Sequence, residues 1–274
     1  MAEPDYLRAV GAVGTLGDWS LADPPTFRFA PVGDEYFFKS EAHKGKLLRC
    51  FGLSFMLSKR VATYQRDFQM ADQDRTVSFT EMKAGTREDY HLLEELEKPY
   101  HAMTADRIIA ELRRQGEASL DGYKISRLDH GLQAATRAQN EGADIDWVVG
   151  ALLHDIGDGL APQNHDRFSA EVIRPFVRWE VSWVVEHHGI FQMIYYAHHY
   201  NWDANAREEF KDHPCFESCA EFCERWDQSS FDPDYPTEPL ATFEPMVRQV
   251  FGRKAYDPAV IKEGVVSPLT SQHA

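Results

Sequence analysis

From Thr80 to Phe251 the apolar residues recur at helical spacing, and the interruptions fall where helix caps and stops belong. Thr104 is placed to cap a helix through Ile108, Ile109 and Leu112. Ser126 caps the next, with Asp129 near the capping-box position and Gly142 as its stop. Asp144 or Asp146 opens a third helix, Trp147 to Ile156, closed by Gly157 and Gly159. Asn164 opens a fourth that reaches Arg174–Pro175, and a fifth runs from Trp179 to His199 with Gly189 as a point of interruption. A sixth holds residues 215–228, and Leu240 to Phe251 reads as a last amphipathic helix. No convincing strand alternation and no internal repeat occur, so the expected fold class is all-α.

The flanks are plainer. Residues 1–34 are rich in Gly, Pro and Asp and read as a loop arm. Ser40 to Gln69 fits a helix with an apolar stripe through Leu47, Phe51, Phe55 and Met56 or Leu57, and it carries Lys44, Lys46, Arg49, Lys59 and Arg60. Such a basic helix suits a membrane surface or a partner, but docking with a solvated face is its ordinary role. The tail after Tyr256, with Pro258 and Pro268, reads as linker. The expected organisation is therefore an N-terminal extension over 1–78, a helical domain over 79–256 and a tail over 257–274.

The formal net charge of −15 argues against nucleic acid as the main partner, because phosphate binding needs clustered Lys and Arg. It does not exclude an anionic small substrate, since a metal or a local pocket inverts the global sign. The sequence contains no run of 18 apolar residues, so no membrane span is expected. MAEPDYLRAV lacks a basic stretch followed by an apolar one, so no secretory signal is expected. Cys215, Cys219 and Cys223 stack on one helix face, and with Cys50 they suit reduced thiols in the cytoplasm. Read as a soft metal site, that row has no nearby fourth ligand except Asp227. Oligomeric state leaves no mark in the sequence.

The sharpest local feature is Leu153-His154-Asp155-Ile156-Gly157, an imidazole and a carboxylate side by side at a helix end. Both are natural ligands of first-row metals. Upstream lies His130; downstream lie His165, the pair His187-His188, and Asp227. One inward ligand from each of several helices is how bundles build buried metal sites. A single histidine is more often a hydrogen-bonded core or surface residue, so the weight rests on the set. On a helix only one of His187 and His188 points inward; His188 heads Gln192, Tyr195 and His199 at helical spacing and is preferred.

The order His, His-Asp, His, His, Asp resembles the HD-domain superfamily over residues 80–252, which implies an HD helical bundle. His130, His154, Asp155 and Asp227 match the one-metal pattern; His165 and His188 match the extra histidines of two-metal members, in which Asp155 would bridge the ions. The resemblance implies two metal ions, iron first, with manganese or zinc also accommodated. Two chemistries share this scaffold: metal-dependent phosphohydrolysis, and the di-iron oxygenases similar to myo-inositol oxygenase and to enzymes that cleave organophosphonates.

Many HD hydrolases, and myo-inositol oxygenase too, carry a lysine where this chain has Asp158. Asp158 would repel a phosphate and attract an ammonium or hydroxyl group, which leans toward an O2-using enzyme acting on a small polar metabolite other than inositol. In that reading Asp158 and Gln192 are the catalytic orienting pair, and Tyr195 and His199 join them in holding substrate. Packing aromatics on a buried helix is an equal alternative for Tyr195. Lys124 and Arg127 read as solvated surface charges, although they could meet an anionic substrate group. Arg225 is placed to pair with a core carboxylate.

Overall fold

The computed structural model describes residues 75–117 and 122–270, together with the backbone of three strands before them. The chain divides into two compact units, Met1–Leu92 and Leu93–Ala274.

In the first unit, β1 (Phe27–Val32), β2 (Glu35–Ser40) and β3 (Leu47–Arg49) form an antiparallel sheet in the order β1-β2-β3. Val32 pairs with Glu35, leaving the two residues Gly33-Asp34 between the strands. This corrects the expected loop at Phe27–Val32 and the expected helix at Ser40 and Leu47–Arg49; the rest of the loop expected over residues 1–34 lies outside the described residues. The reason is local: Phe27, Phe29, Tyr36, Phe37 and Phe38 are strong strand formers, and a Gly-Asp pair between two such runs is a hairpin signal. The remainder of the Ser40–Gln69 expectation lies outside the described residues. Further along this unit, the Asp89 carboxylate accepts hydrogen bonds from the backbone N–H and hydroxyl of both Ser78 and Thr86, tying the incoming chain to the start of α1 (Arg87–Ala102).

The second unit is all-α. After α1 come α2 (Thr104–Glu117), α3 (Arg127–Asn140), α4 (Ile145–Leu153), α5 (His165–Ile173), α6 (Trp179–Tyr196), α7 (Phe216–Phe222), α8 (Leu240–Phe251) and the short α9 (Pro258–Ile261). Helix α4 is the axis. Its sequence, IDWVVGALL, is apolar all round, and every residue from Asp146 to Leu153 is buried. A helix without a polar stripe has to be surrounded. Helices α3, α6 and α8 pack around it, each presenting an apolar face to it. Each fully buried Val, Leu or Ile contributes about 1.5–3 kcal/mol over an exposed one.

Two of the four expected caps form; Asn164 makes no side-chain cap bond, and the Thr104 hydroxyl donates to the His101 carbonyl instead. Ser126 and Asp129 form a reciprocal capping box at α3, and Gly142 follows the helix with φ +77°. Asp144 caps α4 by accepting from the N–H of Asp146 and Trp147. Asp146 is instead buried, accepting from Arg253 at 2.7 Å and from the Arg178 N–H at 2.9 Å, so it ties α4 to α6 and to the chain after α8. Helix α6 runs through Gly189 without a break and ends at Tyr196, three residues before the expected His199.

The tail is not a linker. Leu269 and Thr270 are buried, the Ser267 N–H donates to the buried Glu180, and Thr270 pairs with Ala143. Among the described residues no helix is long and apolar enough to cross a membrane.

Two glycines set the spacing around α4. A Cβ on Gly131 of α3 would lie 2.6 Å from the Leu152 carbonyl oxygen, and a Cβ on Gly150 would lie 2.6 Å from Val181 Cγ1. At Gly131 the neighbour is backbone and cannot swing aside. Gly131→Ala should therefore push α3 outward, lower stability by about 1–3 kcal/mol in chemical denaturation, and displace the adjacent His130. An unchanged unfolding midpoint would contradict this account of the α3–α4 contact.

Candidate metal centre

The end of α4 delivers His154 and Asp155 into the bundle. The chain then turns sharply: the Ile156 carbonyl is held by the Gln115 amide at 2.9 Å and the Gly157 N–H by the Ser169 hydroxyl at 3.0 Å. Helix α3 brings His130 in its first turn, α5 brings His165 as its first residue, and α6 brings His188. Asp227 arrives differently. Helix α7 widens into a π-helical turn, Cys223–Asp227, closed by a bond from the Gln228 N–H to the Cys223 carbonyl. The extra residue per turn rotates Asp227 relative to a regular helix, and such bulges recur at functional sites.

The six side chains converge. The ligand atoms of His130, His154 and Asp227 lie within 4.8 Å of one another, as do those of His154, Asp155 and His188. The Nε2 atoms of His130 and His154 are 3.0 Å apart, and Asp227 Oδ1 is 3.2 Å and 3.3 Å from them. Asp155 faces both groups. Its Oδ2 is 3.5 Å from His130 Nε2, while its Oδ1 is 3.2 Å from His165 Nε2 and 3.3 Å from His188 Nε2. All but His165 are buried, and the side chain of His165 is 27% exposed. His187 lies outside the cluster, stacked on Trp183 at 4.0 Å.

All four imidazoles share one hydrogen-bond pattern. Nδ1 meets a backbone carbonyl in each case: Ser230 for His130, Ala151 for His154, Pro162 for His165 and Val185 for His188. A carbonyl only accepts, so each Nδ1 carries the hydrogen and each neutral ring turns a bare Nε2 lone pair inward. Lone pairs and carboxylate oxygens at 3.0–3.5 Å repel unless cations lie among them. Asp227 Oδ2 is also buried without a hydrogen bond. Imidazoles anchored at the far nitrogen by a carbonyl are the arrangement that orients metal-binding histidines. The donor set of imidazole nitrogen and carboxylate oxygen fits first-row metals, iron among them.

Protons are the alternative cations, and the electrostatics reflect it. Burial alone would lower the pKa of His188, but Asp155 in contact and Asp227 nearby raise it to about 9. His130 is raised against burial by Asp227, and His165 by Asp155. Burial would raise Asp155 and Asp227, but His154 and the other facing imidazoles hold both well below the usual carboxylate range.

The expected substrate-holding residues are less concentrated. Gln192 sits one turn beyond His188, half-buried and without a side-chain hydrogen bond among the described residues. The Tyr195 hydroxyl donates to Glu224 at 2.7 Å, and burial together with that carboxylate raises its pKa. His199 is exposed beside His198 in a 3-10 turn; the change of helix type takes it off the His188 face. Asp158 does not point to open space: its Oδ2 lies 2.8 Å from Arg127 Nε. Arg127 is no solvated surface charge, with a side chain 18% exposed, Nη1 at 3.3 Å from Asp155 Oδ2 and the guanidinium over the Tyr123 ring. Lys124 is exposed. Arg225 pairs with Glu141 and Glu221 at the surface instead of in the core. Cys215, Cys219 and Cys223 are buried free thiols packed along α6, as their spacing implies.

Sequence reasoning missed a small open recess beside His130, lined by Tyr123, Ile125, Ser126, Arg127 and Phe231. Phe231 stacks on His130 at 4.3 Å. The available signal was Arg127 itself, which stands three residues before His130 and so shares its helix face.

Residues 127–227 match the HD domain family model, and this segment of the chain is an HD domain. Within it, two buried His/Asp clusters have the composition and spacing to hold a metal ion. Over 86 residues the chain is 31% identical to a 1-hydroxy-2-(trimethylamino)ethylphosphonate dioxygenase (glycine-betaine-forming) of Leisingera caerulea. That alignment covers 27% of this chain and 44% of the relative, so the chain matches less than half of the relative's length.

A pH test follows for the metal-free protein. Raising the His188 pKa from 6.5 to about 9 stabilises the fold fully below pH 6.5, and that contribution is lost as pH rises through 9. Metal binding needs deprotonated imidazoles and so favours the opposite slope. Thermal unfolding should show the metal-free protein losing stability between pH 6.5 and 9 while metal-loaded protein holds or gains it. Parallel curves would count against a metal role for this cluster.

Proposed function

We propose that the protein is an HD-domain metalloenzyme with a dinuclear centre, held by His130, His154, Asp155, His165, His188 and Asp227, that uses O2 to oxidise or cleave a small polar metabolite. The observation that carries it is the split of Asp155, with Oδ2 toward His130 and Oδ1 toward His165 and His188. One carboxylate shared between two imidazole groups suits two metal ions, and an imidazole could not serve both. The nitrogen and oxygen donors suit iron, and manganese or zinc would also be accepted. Bound iron would supply O2 activation and withdraw charge from a coordinated substrate oxygen. The chain's own residues do the rest. The four backbone-anchored imidazoles keep their Nε2 atoms aimed, Phe231 covers one face of His130, and Gln192 offers an uncommitted amide one turn beyond His188. The partial likeness to a phosphonate dioxygenase supports the O2 branch.

A second reading, metal-dependent phosphohydrolysis of a small phosphate ester or nucleotide, keeps the same ligands. Arg127 favours it, because the guanidinium beside Asp155 weakens the argument that Asp158 would repel a phosphate.

Protein grown with iron should bind two ions per chain and give the magnetic-resonance signal of a coupled Fe(II)/Fe(III) pair, altered by a true substrate, with O2 uptake on turnover. Tightly bound manganese or zinc with phosphoesterase turnover and no O2 uptake would decide for the hydrolase. Separately, His165→Ala or His188→Ala should each lose one of the two ions, with metal affinity at the affected site falling at least about 10–100-fold. Retention of both ions would refute the six-ligand assignment.

A further inference from the structure

We infer that Arg127 is the anchor for an anionic group of the substrate, and that Asp158 is a built-in competitor for that anchor which sets how tightly the anion is held. This rests on the metalloenzyme reading only for the word substrate; the binding site itself is argued from its own residues.

Arg127 is the one lysine or arginine among the described residues with an ion pair to any of the six clustered side chains. Its guanidinium faces two carboxylates: Nη1 donates to Asp155 Oδ2 at 3.3 Å, and Nε lies 2.8 Å from Asp158 Oδ2 as an ion pair without a hydrogen bond. Its Nη2 makes no hydrogen bond among the described residues, and the side chain lines the recess that His130 also lines. An oxyanion on that nitrogen would therefore sit beside a clustered imidazole. A planar guanidinium offers paired donors to phosphate-like or carboxylate oxygens, which suits this task better than a point charge would.

The aromatic walls argue the same way. A cation would need a free ring face. The Tyr123 face carries Arg127 at 4.9 Å, and Phe231 stacks against His130 at 4.3 Å. What the recess has left to offer is a positive donor. Asp158 shows that the guanidinium already holds a carboxylate as an ion pair, Nε to Oδ2 at 2.8 Å. An incoming oxyanion competes with that carboxylate, so Asp158 weakens the anion it would otherwise be thought to repel.

The test uses the full-length protein loaded with zinc, which cannot activate O2, so failure of the oxygenase reading leaves the result intact. Inorganic phosphate is the probe, titrated by calorimetry, with methylphosphonate and acetate as further arms that separate phosphate-like oxyanions from carboxylates. Arg127→Gln should weaken phosphate binding at least about 10-fold, with Arg127→Lys between the two. Asp158→Asn should tighten it several-fold, a change of opposite sign that mere structural damage would not produce. Metal content is measured on each variant. Should Arg127→Gln shed metal, Asp158→Asn decides alone: tighter binding supports the anchor, and equal or weaker binding overturns it. Arg127→Gln that keeps its metal and binds phosphate as tightly as the parent also overturns it.

Discussion

Four imidazoles each give their Nδ1 hydrogen to a main-chain carbonyl, and this leaves four Nε2 lone pairs and two carboxylates directed into one buried space. Left to themselves these groups repel. The fold holds them together only with positive charge among them, either protons, as the raised His130, His165 and His188 imply, or metal ions. The carbonyls come from four separate places: the loop after the π turn, the end of α4, the turn before α5 and the body of α6. A change in any of these backbone segments therefore reaches the centre by re-aiming a ring, without touching a ligand.

That arrangement depends on α4. A helix with no polar side is enclosed by α3, α6 and α8, so its C-terminal end opens into the interior, where His154 and Asp155 stand. The glycines at 131 and 150 bring neighbouring elements close enough for His130 and His188 to meet that end. Close packing and ligand geometry are thus one property here. Interiors at crystal-like density transmit a displacement of one helix to its neighbours without absorbing it.

Much of this was legible. The caps at Ser126 and Asp144 have local causes, and local causes are written in local sequence. The six clustered residues were legible through their resemblance to the HD-domain order His, His-Asp, His, His, Asp, while spacing placed them on successive helices. His188 over His187 as the inward ring followed from the same spacing: His188 is buried against Asp155 while His187 stacks on Trp183. What spacing could not reveal were changes of helix type. The π turn at Cys223–Asp227 and the 3-10 turn at Ala197–Tyr200 alter phase by a fraction of a turn; the first turns Asp227 relative to a regular helix and the second takes His199 off the ligand face. The strands before residue 50 have a different cause: residues 27–49 carry both the start of an apolar stripe that fits a basic helix and an aromatic, Gly-Asp-interrupted run that fits a hairpin, and the hairpin wins.

Charge was the hardest feature to read, and Asp158 explains why. From sequence a carboxylate next to a His-Asp pair is a negative pole, and it suggests a positive or neutral substrate. In three dimensions the same carboxylate is matched by Arg127, which approaches from the start of another helix, 31 residues earlier in sequence. The sign of a site belongs to the sum of groups that share it, weighted by how each is solvated, and one-dimensional neighbours are a poor sample of that sum. With Asp155 and Asp227 inside the cluster and Asp158 paired with Arg127, no further acid among the described residues makes an ion pair with the cluster. The acidic composition of the chain therefore says little about what its centre prefers, and the guanidinium edge facing the recess says more.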